Sequence, residues 1–141
     1  MNEVSTDIPL HRARCSCGQL GIEVSGRPQR VNACSCIDCQ RRSGSAFSYT
    51  AFFPDSAVRQ RHGEVKIYRE MRDAGRWHDS YFCPRCGVTV YCVLEAIPGH
   101  VGIAVGTLSE PDFAAPEHFY WTIRRPHWLV LPADLDQLER Q

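Results

Sequence analysis

The sequence predicts an all-β domain. Three observations carry this. Short runs of β-branched and aromatic residues recur along the 141 residues, Gly and Pro fall between them, and only one stretch beyond a single turn has helical spacing. Residues 1–13 read as an irregular leader, with Pro9 breaking any early element. "QLGIEVSG" (19–26) alternates Leu20, Ile22 and Val24 against Gly21 and Glu23, a half-buried strand ending in a glycine turn. "QRVNAC" (29–34) is a second short strand. "IDCQRRSG" makes one helical turn, and Gly44 ends it. "AFSYTAFF" (46–53) is an aromatic strand closed by Pro54. "EVKIYRE" (64–70), "WHDSYF" (77–82), "VTVYCVLE" (88–95), "HVGIAVGTL" (100–108) and "HFYWTI" (118–123) continue the strand series. "HWLVLP" (127–132) is a short apolar end piece. "ADLDQLER" (133–140) places Leu135 and Leu138 on one face and predicts a short C-terminal helix. No linker, long repeat or low-complexity segment divides the chain, so the expected organisation is a leader (1–13), one domain (14–133) and a tail (134–141).

Composition narrows the functional classes. Apolar residues make up 43% and charged residues 23%, a globular balance. Formal net charge is zero, which argues against a broad nucleic-acid footprint. Lys66 is the only lysine, so basic charge is nearly all arginine, the residue suited to bidentate grip of carboxylates. No apolar run is long enough to span a bilayer, and "MNEVSTDIPLHRARC" lacks the pattern of a secretory signal. The expected location is therefore cytoplasmic, with no membrane partner. In a reducing compartment, eight cysteines point to metal or thiol chemistry rather than disulfides.

The cysteines fall into groups. Cys15-Ser-Cys17-Gly18 is one; the triple Cys34, Cys36 and Cys39 is another; Cys83-Pro-Arg-Cys86-Gly87 is a zinc knuckle by spacing. Joining Cys15 and Cys17 to Cys83 and Cys86 gives a four-thiolate structural site that would staple an early strand to a central hairpin. The triple is then left with three ligands. It is either an open, working site or a closed one completed by a histidine or Cys92. Cys92 lies mid-strand with Val88, Val90 and Leu94 on its side and reads as a buried, inert thiol; His78 reads as an ordinary hydrogen-bonding histidine. Three thiolates on Zn²⁺ suit a soft fourth ligand, so an open site predicts thiol substrates more readily than hydrolysis.

In order, "CSCGQLGIEVSG", "CSCIDCQRRSGSAF", "GEVKIYRE", "FCPRCGVTVYC", "IAVGTLSEPDF" and "RRPHWLVLP" resemble the glutathione-dependent formaldehyde-activating enzyme family, also called centromere-protein-V-like. The resemblance runs from about Cys15 to Pro132. It implies a β-tent of mostly antiparallel sheets stapled by zinc. It implies two zincs per chain, one structural on Cys15, Cys17, Cys83 and Cys86 and one labile on Cys34, Cys36 and Cys39. It also implies a carbon–sulfur lyase-type activity joining glutathione to formaldehyde. Arg41 and Arg42 would then be placed to hold substrate carboxylates, against the alternative that they are solvated or pair with Asp38. Ser43 and Ser45 could serve a developing oxyanion, although turn chemistry beside Gly44 is the favoured reading. The competing function is a non-catalytic zinc module for protein or nucleic acid, using arginines at 41–42, 69–76 and 124–125 with nearby aromatics.

Overall fold

The computed structural model describes residues 7–72 and 75–141. Strands β1 (Leu10–Arg14), β2 (Gly21–Ser25) and β3 (Arg30–Cys34) come first, followed by the helix α1 (Ile37–Ser43). Then come β4 (Ser48–Pro54), β5 (Val58–His62), β6 (Lys66–Met71), β7 (Trp77–Phe82), β8 (Thr89–Leu94) and β9 (His100–Ala104). Two short strands finish the chain, β10 (His118–Tyr120) and β11 (Asp136–Gln137). Three strands form a small antiparallel sheet in the order β1–β2–β5. The other eight form a larger sheet in the order β11–β10–β3–β4–β9–β8–β7–β6. Its pairings are antiparallel except at β10, which runs parallel to both β3 and β11.

Alternation along the central strands gives the larger sheet two unlike faces. Val31, Ala51, Phe53, Val101 and Ile103 pack into the core with Leu20, Ile22 and Val24 of the small sheet, the apolar set expected from the 19–26 pattern. Phe53, Ile103, Ile22 and Val24 are completely buried, and each contributes about 1.5–3 kcal/mol relative to exposure. The opposite face carries polar and sulfur-bearing residues, Asn32 and Cys34 on β3, Ser48 and Thr50 on β4, His78 on β7 and Cys92 on β8, beside the apolar Phe52 and Leu94. Buried apolar packing fixes the register, and that register delivers the second set to one surface.

Several elements differ from the sequence reading. β1 starts at Leu10, inside the segment read as irregular, because its backbone pairs with β2 from Leu10↔Ser25 to Arg14↔Gly21. β5 has no apolar alternation and was not expected; it exists because its backbone completes the edge of β2. The 100–108 run stops as a strand at Ala104 and turns through a 3-10 segment, Val105–Leu108. The C-terminal helix does not form. An isolated eight-residue helix is marginal, and here the 133–140 backbone finds better partners: β11 pairs with β10, Leu138 N–H donates to Phe119 O, and Thr122 N–H donates to Leu138 O. The only α-helix among the described residues is α1, where the single turn was expected. Gly44 caps it in the left-handed region at φ 61°.

Candidate metal centres and the adjoining cavity

Two groups of cysteine sulfurs converge. Cys15, Cys17, Cys83 and Cys86 form one, and Cys34, Cys36 and Cys39 form the other; within each, all sulfurs lie within 4.8 Å of one another. A tetrahedral ion with Zn–S bonds near 2.3 Å requires sulfurs about 3.8 Å apart. Cys15–Cys17 at 3.6 Å and Cys17–Cys83 at 3.7 Å meet that requirement.

The four-sulfur group is built from two copies of one turn. Cys15 N–H donates to Leu20 O and Gly18 N–H to Cys15 O; Cys83 N–H donates to Val88 O and Gly87 N–H to Cys83 O. Gly18 and Gly87 sit at φ 80° and 79°, where the absence of Cβ permits the reversal. N–H groups point at the sulfurs: Leu20 N to Cys15 at 3.3 Å, and Arg85 N and Cys86 N to Cys83 at 3.4 and 3.5 Å. Gln19 adds an amide donor to Cys83 at 2.9 Å while gripping the backbone of Glu64 at both its N–H and its carbonyl. Burial pushes the Cys83 thiol up, but the Cys86 N–H, the Gln19 amide and the Arg85 N–H outweigh it and bring it down to about 6. Such a donor set favours thiolate and fits a fourfold metal site.

The three-sulfur group sits where β3 runs into α1. Ser35, fully buried between two ligand positions, donates through its hydroxyl to Ala46 O and through its N–H to Tyr120 O. Gln40 ties the helix back by donating to Ser35 O and Arg124 O. Cys36 is the N-cap, its sulfur accepting from Cys39 N–H at 3.3 Å. Hydrogen bonds from the Cys34 and Cys36 sulfurs hold the Cys39 thiol well below its ordinary range, against burial, with help from Arg42 and Ser48. Cys34 is correspondingly pushed up by its neighbours Cys36 and Cys39 and by burial. Three converging sulfurs, of which Cys39 is biased toward thiolate, fit a metal with one position left over.

Among the described residues, no histidine and no fourth cysteine joins the three sulfurs. Beside them lies a cavity of about 240 Å³, lined by Cys34, Cys39, Arg42, Arg72, His78 and Cys92 among others. A second hollow of about 360 Å³ adjoins it through Arg72, Arg76 and His78 and adds Cys36, Trp77 and Trp121. Cys92 is buried, and burial pushes its thiol up to about 12, so it lines the cavity as a neutral group. Gly102 lies opposite it in the sheet: a Cβ there would stand 2.7 Å from Cys92 Sγ and 2.9 Å from both Phe52 and Thr50.

The arginines take definite places. Arg42 donates to Cys39 Sγ at 3.3 Å and pairs with Glu70 at 2.7 Å. Arg41 is exposed and is not among the residues lining the cavity. Ser43 makes turn bonds to Gln40 O and Phe47 O and accepts from Ser45 N–H. Arg30 and Arg76 line the cavity with no ion-pair partner among the described residues. His78 is 2% exposed; its Nδ1 faces Arg72 at 3.3 Å. Burial, followed by Arg42 and Arg72, depresses it to about 3, so it is neutral at pH 7.

Asn32 Oδ1, Arg72 Nε and His78 Nε2 are buried and find no hydrogen-bond partner among the described residues. Each such atom costs about 1–3 kcal/mol, and all three residues line this one cavity. Sequence reading passed over Asn32 and Gln19 and took Arg72 only as part of the arginine-rich stretch 69–76, because their roles depend on contacts the fold makes. The one available signal was the Asn32–Cys34 spacing, which puts both on the same face of a strand.

A family model described as "Glutathione-dependent formaldehyde-activating enzyme" matches residues 10–124. No curated protein matches the chain. Among solved structures, a crystal structure of a Rhodobacter sphaeroides protein superposes with a TM-score of 0.55. It is 23% identical, over 71% of this chain and 91% of that one, a likeness of fold.

Proposed function

This chain belongs to the glutathione-dependent formaldehyde-activating enzyme family, and from that premise we propose that it joins a glutathione-like thiol to a small aldehyde, or cleaves the adduct. Cys34, Cys36 and Cys39 would hold the working Zn²⁺, and Cys15, Cys17, Cys83 and Cys86 a structural one. The observation that carries this is the contrast in ligand count: one cluster has four sulfurs, while the other has three and opens on a polar cavity.

Zinc bound to the three cysteines would supply a soft Lewis acid that lowers the pKa of a thiol ligand. The chain's own residues do the rest. Arg42 holds Cys39 in its thiolate form and is itself held by Glu70. Arg30 and Arg76 are free to take the carboxylates of an anionic thiol. That role passes to them because Arg42 is already engaged and Arg41 points away. Trp77 and Trp121 line the outer hollow beside Cys36. Cys92, protonated and buried, adds no competing thiolate. Among the described residues no helix is long and apolar enough to cross a membrane, and a small-molecule thiol is the expected partner.

The test is to titrate the zinc-loaded protein with glutathione by calorimetry, then follow glutathione and ¹³C-formaldehyde by NMR. Saturable binding with faster adduct formation or breakdown is expected. A zinc-loaded protein that binds no small thiol and leaves the reaction rate unchanged would rule the proposal out and favour a non-catalytic zinc module.

A further inference from the structure

The three unpartnered polar atoms of the cavity are complementary to a particular chemical group. Arg72 presents an Nε–H donor. His78 presents a second. A guanidinium has no acceptor, so in the 3.3 Å contact between Arg72 and His78 the Nδ1 must accept. The ring proton is then on Nε2, which faces no protein acceptor. Asn32 Oδ1 is an acceptor. Two donors and one acceptor are therefore carried by residues that line the cavity that Cys34 and Cys39 also line. A thiol head group does not use them. A carbonyl oxygen that becomes a hydroxyl uses all three.

We propose that Arg72 Nε–H and His78 Nε2–H receive the carbonyl oxygen of the aldehyde, and that Asn32 Oδ1 accepts from the hydroxyl formed when the thiol adds. This rests on the thiol–aldehyde reading above and names its second substrate's binding group. In the addition, the sulfur–carbon bond forms and the carbon–oxygen π pair moves onto oxygen, where the two N–H groups stabilise it. The oxygen then takes up a proton from water, replacing the one the thiol released. The reverse step returns that proton and expels the thiolate. His78 is a donor throughout and does not titrate. His78 and Asn32 are held by their strands, β7 and β3, on one sheet face, so the donor–acceptor set is formed before substrate arrives.

The zinc-loaded full chain is compared with His78→Leu, which keeps volume without a donor, and His78→Gln, which restores an N–H. His78→Leu is expected to lower kcat/KM for formaldehyde about 100-fold, leaving glutathione affinity within about twofold; His78→Gln is expected to recover most of the loss. Formamide, an unreactive one-carbon probe with an acceptor oxygen and N–H donors, should compete with formaldehyde but not with glutathione. In ¹H–¹⁵N spectra of the imidazoles it should shift His78 Nε2 saturably. Wild-type aldehyde kinetics in His78→Leu, or an imidazole that formamide leaves unmoved, overturns the proposal. If wild type binds glutathione yet forms no adduct, the thiol–aldehyde reading falls. The formamide titration then decides the subsite alone: a saturable shift supports the carbonyl site, and no shift overturns it.

Discussion

The two cysteine clusters use the same side chain in opposite surroundings. Around Cys15, Cys17, Cys83 and Cys86, the donors that face sulfur are backbone N–H groups of two matching turns, with one local amide from Gln19. Around Cys34, Cys36 and Cys39, one flank is the backbone of α1 and the other is a guanidinium, a second arginine and a cavity. Backbone donors cannot move away without unfolding the turn, so the first cluster is tied to the fold. The second cluster meets long side chains beside a cavity, so on the proposed reading a ligand reaches it and its loss is expected to leave the sheets intact. On the proposed reading, what separates a structural from a working sulfur site is the complement of the cluster, meaning what stands where the next ligand would go.

The largest expected effect breaks the first cluster. Cys83→Ser removes a fully buried sulfur with three N–H donors aimed at it and breaks the four-sulfur link between the β1–β2 and β7–β8 turns. Structural zinc contributes on the order of 10 kcal/mol to folding, so this variant is expected to show no cooperative thermal transition by circular dichroism. A normal melting curve would mean that the four-sulfur site is dispensable.

Next comes Arg42→Ala, which removes the donor to Cys39 and leaves Glu70 with only Arg72, at 3.8 Å. Metal affinity at the three-sulfur site should fall about 10–100-fold, read by competition with a chromophoric chelator, while the other metal holds. Equal loss at both sites would erase the distinction. Gly102→Ala is smaller. Its methyl meets Cys92, Phe52 and Thr50 at under 3 Å, an overpacking cost of about 1–3 kcal/mol. Chemical denaturation should show that cost, and glutathione affinity should fall with the narrowed cavity; an unchanged affinity would detach the cavity from thiol binding.

The smallest effect lies away from both clusters. Asp79, bonded twice by Arg69, has its carboxyl held below the usual range. A depressed folded value means stability present above the ordinary carboxylate pKa and lost as pH falls through the folded one. Because Arg69 is 55% exposed, solvent screens the pair and its effect on stability is small. Asp79→Asn should flatten the acid limb of stability against pH slightly. A steeper limb in the variant would reverse the sign.

Much of this was legible in the residues. Leu20, Ile22 and Val24 announced their strand, Gly44 ended the helix, and the cysteine spacings separated a group of four from a group of three. Other features were not legible. β5 is held by pairing rather than by pattern, and residues 133–140 have helical spacing but form backbone bonds to β10 and the turn after it. The cavity escaped for a related reason. Asn32, Arg72 and His78 come from three separate stretches and meet only once the register of the eight-stranded sheet is set. Arginines directly after the cysteines drew the eye to Arg41 and Arg42; of these only Arg42 lines the cavity, together with Arg30 before the cysteines and Arg72 and Arg76 after them.

The most direct test of the two-cluster account is metal content per chain in wild type and in Cys36→Ser, with circular dichroism on the same samples. The account predicts about two zincs in wild type and one in the variant, with an unchanged spectrum and melting curve. One zinc in both proteins, or a variant that unfolds, would contradict it.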